Sequence, residues 1–140
     1  MIKLHEDLYQ GDSEDAVRES KQNNMDCIIY VGQELPHQLS HESSIPIIHI
    51  PLKDGKNPCK KVITALNIYL FLCAQCYQQK CLIACRQGIS RSPTLAAAYY
   101  SLLSSMPFDY ILEELKKINP RINPHPEFIE SVRKSLEEVK

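Results

Sequence analysis

Apolar and polar positions follow two periods along the chain, and each change of period marks an element. Ile2–Leu4 and Leu8–Gln10 read as short strands. Asp12 and Ser13 open a polar helix through about Gln22, with Glu14 and Asp15 in its first turn, where carboxylates complement the helix dipole. Cys27–Val31 is a continuous apolar, β-branched run ending at Gly32, the pattern of a buried strand. Gly32 to Ser44 is polar and irregular. Ile45–Leu52 predicts a further strand, punctuated by Pro46 and Pro51. Asn57 and Pro58 form a cap and first helical position, and the helix they open is expected to reach about Gln79, with Val62, Ala65, Leu66, Tyr69, Cys73 and Cys76 on one stripe. Cys81–Ala84 is a short apolar strand. Ser92 and Pro93 repeat the cap-plus-proline signal and predict a helix through about Ser104. Two amphipathic helices close the chain, one aligning Phe108, Ile111, Leu112, Leu115 and Ile118, the other Ile129, Val132, Leu136 and Val139.

Strands alternating with helices imply an α/β layered domain with a largely parallel sheet. At 140 residues the chain has the length of one domain, taken as residues 1–140. In such sheets ligands bind beyond the carboxyl ends of the strands, and the segment CRQGISRS after Cys81–Ala84 falls at such an end.

Hydrophobic residues at 44% and charged residues at 24% place the chain among soluble globular proteins and exclude fibrous and disordered classes. A net charge of −1 gives no global attraction to nucleic acid or anionic membrane, so anion binding has to be local. The N-terminus MIKLHEDLYQ carries no apolar core of signal-peptide type, and Val62–Tyr77 is too short and too polar to span a bilayer. A cytoplasmic setting follows as the expectation. Of six cysteines, five sit inside apolar segments, where a free thiol behaves as a small hydrophobe. Cys73 and Cys76 form one C-x-x-C with no second pair at zinc-site spacing, and on a helix they read as core residues; no metal or other cofactor is expected. Cys81 and Cys85 on one strand would lie about 13 Å apart, too far to bridge.

Cys85-Arg86-Gln87-Gly88-Ile89-Ser90-Arg91-Ser92 has the physical logic of a phosphate cradle with a nucleophile at its base. None of residues 86 to 91 is proline, so Arg86, Gln87, Gly88, Ile89, Ser90 and Arg91 each offer a backbone N–H to a central anion. Gly88 permits the positive φ of a tight loop. The helix beginning near Ser92 adds its N-terminal dipole. The same donors stabilise a thiolate at Cys85, and Arg91 can hold two phosphate oxygens at once, which a lysine does less well. Composition alone would produce roughly 0.006 matches to a cysteine, a glycine three residues on and an arginine six on, so the pattern is read as functional rather than as an ordinary turn.

CRQGISRSPT resembles the signature of the dual-specificity protein phosphatases, within the cysteine-dependent tyrosine phosphatase superfamily. DLYQGD is similar to that family's first strand and turn, IIHIPLKD to the strand that delivers its general acid, and INPRINPHPEF to the segment between its last two helices. The resemblance implies a three-layer domain, with a central, mostly parallel sheet flanked by helices. It implies a two-step reaction in which Cys85 attacks phosphorus and water hydrolyses the cysteinyl-phosphate. Asp54 matches the general acid, although Lys53-Asp54-Gly55 is also a common turn sequence. Ser92 matches a hydroxyl that assists departure of the thiolate, a role that competes with helix capping. Phosphorylated proteins are the implied partners, with no nucleic acid and no membrane.

One departure stands out: the family usually has histidine immediately before its nucleophile, and this chain has Ala84. Arg86, Lys53 and Arg121 could form a basic rim, and Asn123 matches a brace over the pocket on resemblance alone. A phosphatase on a non-protein phosphate (an RNA 5′ end, a nucleotide or a phosphoinositide) is the alternative within the same chemistry. A non-enzymatic phosphate-binding module is the alternative outside it.

Overall fold

The two continuous apolar runs lie side by side at the centre of the sheet. A computed structural model describes residues 1–75 and 79–139, with the side chains of residues 74 and 75 left out. Among the described residues the strands are β1 (Ile2–His5), β2 (Leu8–Gly11), β3 (Cys27–Tyr30), β4 (Ile47–His49) and β5 (Cys81–Ala84). The helices are α1 (Ser13–Ser20), α2 (His37–Glu42), α3 (Cys59–Gln75), α4 (Arg91–Ser104), α5 (Phe108–Ile118) and α6 (Pro126–Val139). The strand order is β1-β2-β5-β3-β4. β5 pairs in parallel with β3 on one side (Cys27↔Cys81 through Tyr30↔Ala84) and with β2 on the other, and only β1 runs antiparallel.

Helices cover both faces, which is why β3 and β5 show no alternation. Cys27, Ile29 and Val31, with Cys81, Ile83 and Cys85, pack against the α3, α4, α5 and α6 layer. Ile28, Tyr30, Leu82 and Ala84 pack against Ala16 of α1 and Leu39 of α2. Tyr69 and Tyr99 stack with ring centroids 4.3 Å apart, and the Tyr99 hydroxyl donates to the Ala65 carbonyl, fixing α3 on α4. Phe128 is fully buried where α6 closes over this core. Phe128→Ala is expected to lower stability by about 3–5 kcal/mol, the usual cost of such a cavity. Phe71→Ala, at a position 62% exposed, should stay within about 0.5 kcal/mol. Urea denaturation of both variants checks the assignment of inside and outside.

Several expectations are corrected. The stretch read as irregular contains α2, a helix of six residues too short to show a hydrophobic period and opened by Pro36 rather than by a side-chain cap. The Ile45–Leu52 strand shrinks to Ile47–His49, because Pro46 and Pro51 lack the N–H a ladder requires. Asn57 does not cap a helix; its amide donates to the carbonyls of Lys53 and Gly55 while its oxygen accepts from Lys53 N–H, folding the segment around Asp54. The helix after it is assigned to Gln75, and Gln79 lies outside it; Cys76 falls outside the described residues. Cys73, expected in the core, is exposed, as is Ile118 at the end of α5. Cys27 and Cys81, register partners in the sheet, have their sulfurs 2.7 Å apart, a contact that lowers the Cys27 thiol and raises Cys81, burial adding to the latter. Among the described residues no helix is long and apolar enough to cross a membrane.

Candidate active site

Cys85 follows directly on β5, at the carboxyl end of the parallel strands, and is 2% exposed. From there the chain turns through residues 86–90 into α4. Gly88 takes φ +70°, and a Cβ there would come within 3.1 Å of the Gly11 and Asp12 backbone, so both the turn and the close approach require glycine.

The loop's carbonyls are tied outwards. The Arg86 carbonyl accepts from the backbone N–H (3.3 Å) and hydroxyl (3.0 Å) of Ser13. The Gly88 carbonyl accepts from the Gln10 amide at 3.0 Å, the Ile89 carbonyl from Asn123 N–H at 2.8 Å, and the Ser90 carbonyl from the Thr94 N–H and hydroxyl. In a trans peptide the C=O and the next N–H point opposite ways, so each outward carbonyl turns the following amide inwards. Among the described residues none of the N–H groups of residues 86–91 donates to a protein acceptor. Sequence alone counts these amides; the anchors that aim them come from β2, α1 and the segment before α6.

Around the sulfur, Ser92 N–H points at Cys85 Sγ at 3.4 Å and the Ser92 hydroxyl lies 3.2 Å from it. Ser92 is therefore no helix cap. It sits inside the first turn of α4, fully buried, with its hydroxyl donating to the Gly11 carbonyl and accepting from Gln10. Asp54 lines the same small cavity as Cys85, about 60 Å³ together with Arg86, Gln87, Ile89, Ser90 and Arg91. Ser90, itself buried, donates its hydroxyl to Asp54 Oδ1 at 2.5 Å and accepts from His125 N–H at 2.9 Å. Ser90 is thus more than an amide: it joins Asp54, the loop and the segment preceding α6.

Arg91 Nη1 donates to the Leu52 carbonyl at 3.0 Å, and its buried Nε has no protein acceptor. Arg86 and Arg91 also border a larger groove of about 510 Å³, lined by Tyr30, Gln33 and His37 among others. Burial, and then Cys85, push the Tyr30 phenol above its ordinary range, so it stays a hydrogen-bond donor there. The basic rim is smaller than expected: Arg86 reaches the cavity, while Lys53 and Arg121 are absent from its lining. Asn123 does brace the loop, through its backbone N–H rather than its side chain. Ala84 is fully buried on the other face of β5, beside Tyr30, as a packing residue. Among the described residues no three His, Cys, Asp or Glu side chains gather as a metal-binding group.

A parallel sheet with a thiol-and-arginine loop between its central strand and a helix defines a phosphatase-type α/β domain, and residues 8–137 match the family described as dual specificity phosphatase, catalytic domain. The chain belongs to that family. Its relatives include human dual specificity protein phosphatase 15, 32% identical over 113 residues, covering 75% of this chain and 37% of that protein. The mouse protein of the same name is 30% identical over 141 residues, covering 99% of this chain and 57% of the relative. The chain therefore spans between about a third and three fifths of these relatives' length. The solved structure of DUSP15 superposes with a TM-score of 0.75 at 28% identity, covering 99% of this chain and 95% of that one. Human DUSP28, at 14% identity and a TM-score of 0.74, covers 99% and 97% and shares the fold.

Proposed function

We propose that this chain is a cysteine-dependent protein phosphatase acting on phosphotyrosine and on phosphoserine or phosphothreonine. The observation that carries the reading is the loop's polarity: four carbonyls anchored outwards, six amides without protein acceptors, and Cys85 Sγ beneath them. That arrangement suits a tetrahedral dianion and a thiolate together. In the first step Cys85 Sγ forms a bond to phosphorus as the ester P–O bond breaks, and Asp54 gives its proton to the leaving oxygen. In the second, water attacks phosphorus, Asp54 takes its proton, the S–P bond breaks and the Ser92 hydroxyl supports the departing thiolate. Arg91 holds the equatorial oxygens throughout. Arg86, Gln87, Gly88, Ile89 and Ser90 supply amides.

Family membership supports protein substrates over an RNA 5′ end or an inositol lipid, as does the single arginine, Arg86, added at the rim. Competitive assays should give the highest kcat/KM for a phosphopeptide within a panel that includes an RNA triphosphate and inositol lipids. A preference for either of the latter would overturn the substrate class while leaving the chemistry in place.

Asp54→Asn tests the acid separately. Its rate should fall by about 10²-fold or more on alkyl phosphates, whose leaving oxygen needs a proton, and much less on activated aryl phosphates. Equal losses on both would make Asp54 a structural partner of Ser90 only.

A further inference from the structure

Gln10 breaks the pattern of its strand. Leu8 and Gln10 share the face of β2 on which α4 packs, and Leu8 is core, so an apolar residue is expected at position 10. The chain instead buries a side-chain amide there, 2% exposed, which is costly unless its hydrogens are used. They are used on the loop. The amide nitrogen lies 3.0 Å from the Gly88 carbonyl, 2.9 Å from Ser92 Oγ and 3.4 Å from the Gly11 carbonyl. Two of these partners are carbonyls, which only accept, so nitrogen is the amide atom that faces them. Its two hydrogens match the two shorter contacts. One end is thereby anchored on Gly88, and the other is aimed at the hydroxyl next to the nucleophile.

This fixes what Ser92 can do. With one lone pair engaged by Gln10, the hydroxyl proton has two acceptors within reach, the Gly11 carbonyl at 3.0 Å and Cys85 Sγ at 3.2 Å. When the sulfur carries a proton it can donate to Ser92 Oγ, and Ser92 donates to Gly11. When the sulfur leaves phosphorus as a thiolate, the same hydroxyl proton can turn to it without the oxygen moving. The rotation exchanges the hydrogen bond to Gly11 for one to the sulfur, and no covalent bond is made or broken.

We infer that Gln10 is a positioning residue for Ser92, holding its oxygen fixed so that its proton meets Cys85 Sγ as the cysteinyl-phosphate is hydrolysed. The inference rests on the proposed phosphatase reaction. It assigns to β2 a part in the second chemical step that neither the phosphate loop nor the acid supplies. Ala84, packed on the opposite face of the sheet, takes no part in it.

Rapid-quench kinetics on wild type, Gln10→Met, Ser92→Ala and the double variant test it, following formation and decay of covalent phosphoenzyme separately. Methionine keeps the shape of glutamine and removes the donors. In Gln10→Met, decay should slow about tenfold while formation stays within about threefold. In the Ser92→Ala background the same substitution should change decay less than about twofold, because the pair acts as a unit. Gln10→Asn, which keeps an amide but withdraws it by one methylene, should show the same split and guards against misfolding of the methionine variant. Equal slowing of both steps, unchanged decay, or fully additive losses with Ser92→Ala would overturn the assignment. A wild-type enzyme that forms no phosphoenzyme would overturn the phosphatase reading itself.

Discussion

Replacing Cys85 with serine is expected to reduce turnover by roughly 10⁴-fold or more while phosphate analogues still bind. The two side chains are nearly isosteric, and the loop does not depend on the sulfur for its shape. Its carbonyls are held by Ser13, Gln10, Asn123 and Thr94, through hydrogen bonds that do not involve the Cys85 side chain. A serine hydroxyl, by contrast, is scarcely ionised near neutrality and is a poor leaving group from phosphorus. Steady-state assay on a phosphotyrosine peptide, with vanadate binding measured in parallel, separates the two effects. Loss of both activity and binding would mean that the sulfur organises the loop, and full activity would remove the covalent route.

Arg91→Lys is expected to lower kcat/KM by on the order of 10³-fold, equivalent to about 4 kcal/mol of transition-state stabilisation. A conserved charge is not expected to suffice, for a geometric reason. One guanidinium nitrogen is committed to the Leu52 carbonyl, which fixes the plane of the group, and Nε is buried with no protein acceptor, so a ligand oxygen is its natural partner. A lysine ammonium can reach one of these positions but not span both, and its hydrogens are not held in a plane. A loss of less than tenfold would show that the loop amides and the α4 dipole carry the phosphate without a clamp.

Much of this was readable from the chain because it lies in local chemistry. The apolar runs Cys27–Val31 and Cys81–Ala84 announce strands buried on both faces, and the glycine at 88 announces a positive φ, since those requirements act on single residues and their neighbours. Cys85, Arg91 and Ser92 lie within one motif and Asp54 in the loop after β4, and the structure gathers them around one small cavity or its floor. What could not be read is what arrives from afar. Gln10 reaches Ser92 across 82 positions, and Ser90 joins Asp54 across 36, through hydrogen bonds that leave no periodic trace. Gln10 did carry one signal, a polar residue at a core register, but a short strand beside polar Gly11 and Asp12 hides it. Ser92 followed by proline looked like a helix cap, and only the position of Gly11 shows that its hydroxyl turns inwards. Ile45–Leu52 has the hydrophobic content of one long strand, but the missing N–H donors of Pro46 and Pro51 confine the ladder to Ile47–His49.

The absence of histidine at position 84 has a structural consequence as well. Ala84 is fully buried with Tyr30 as its register partner and in the same cluster, so an imidazole there has to be accommodated among packed side chains. Ala84→His should therefore destabilise the fold by about 1–3 kcal/mol, read from thermal unfolding with the calorimetric enthalpy. An unchanged midpoint would show that Tyr30 yields readily and that the site tolerates the larger residue.

Phosphate is expected to pass through Cys85 on its way from ester to water. Acid quench of the enzyme in mid-turnover on a phosphotyrosine peptide, followed by proteolysis and mass spectrometry, locates the covalent phosphate. Phosphate is expected on the peptide that carries Cys85, with none formed by Cys85→Ser. Phosphate on another residue, or sustained turnover with no covalent phosphate at any time, would contradict it.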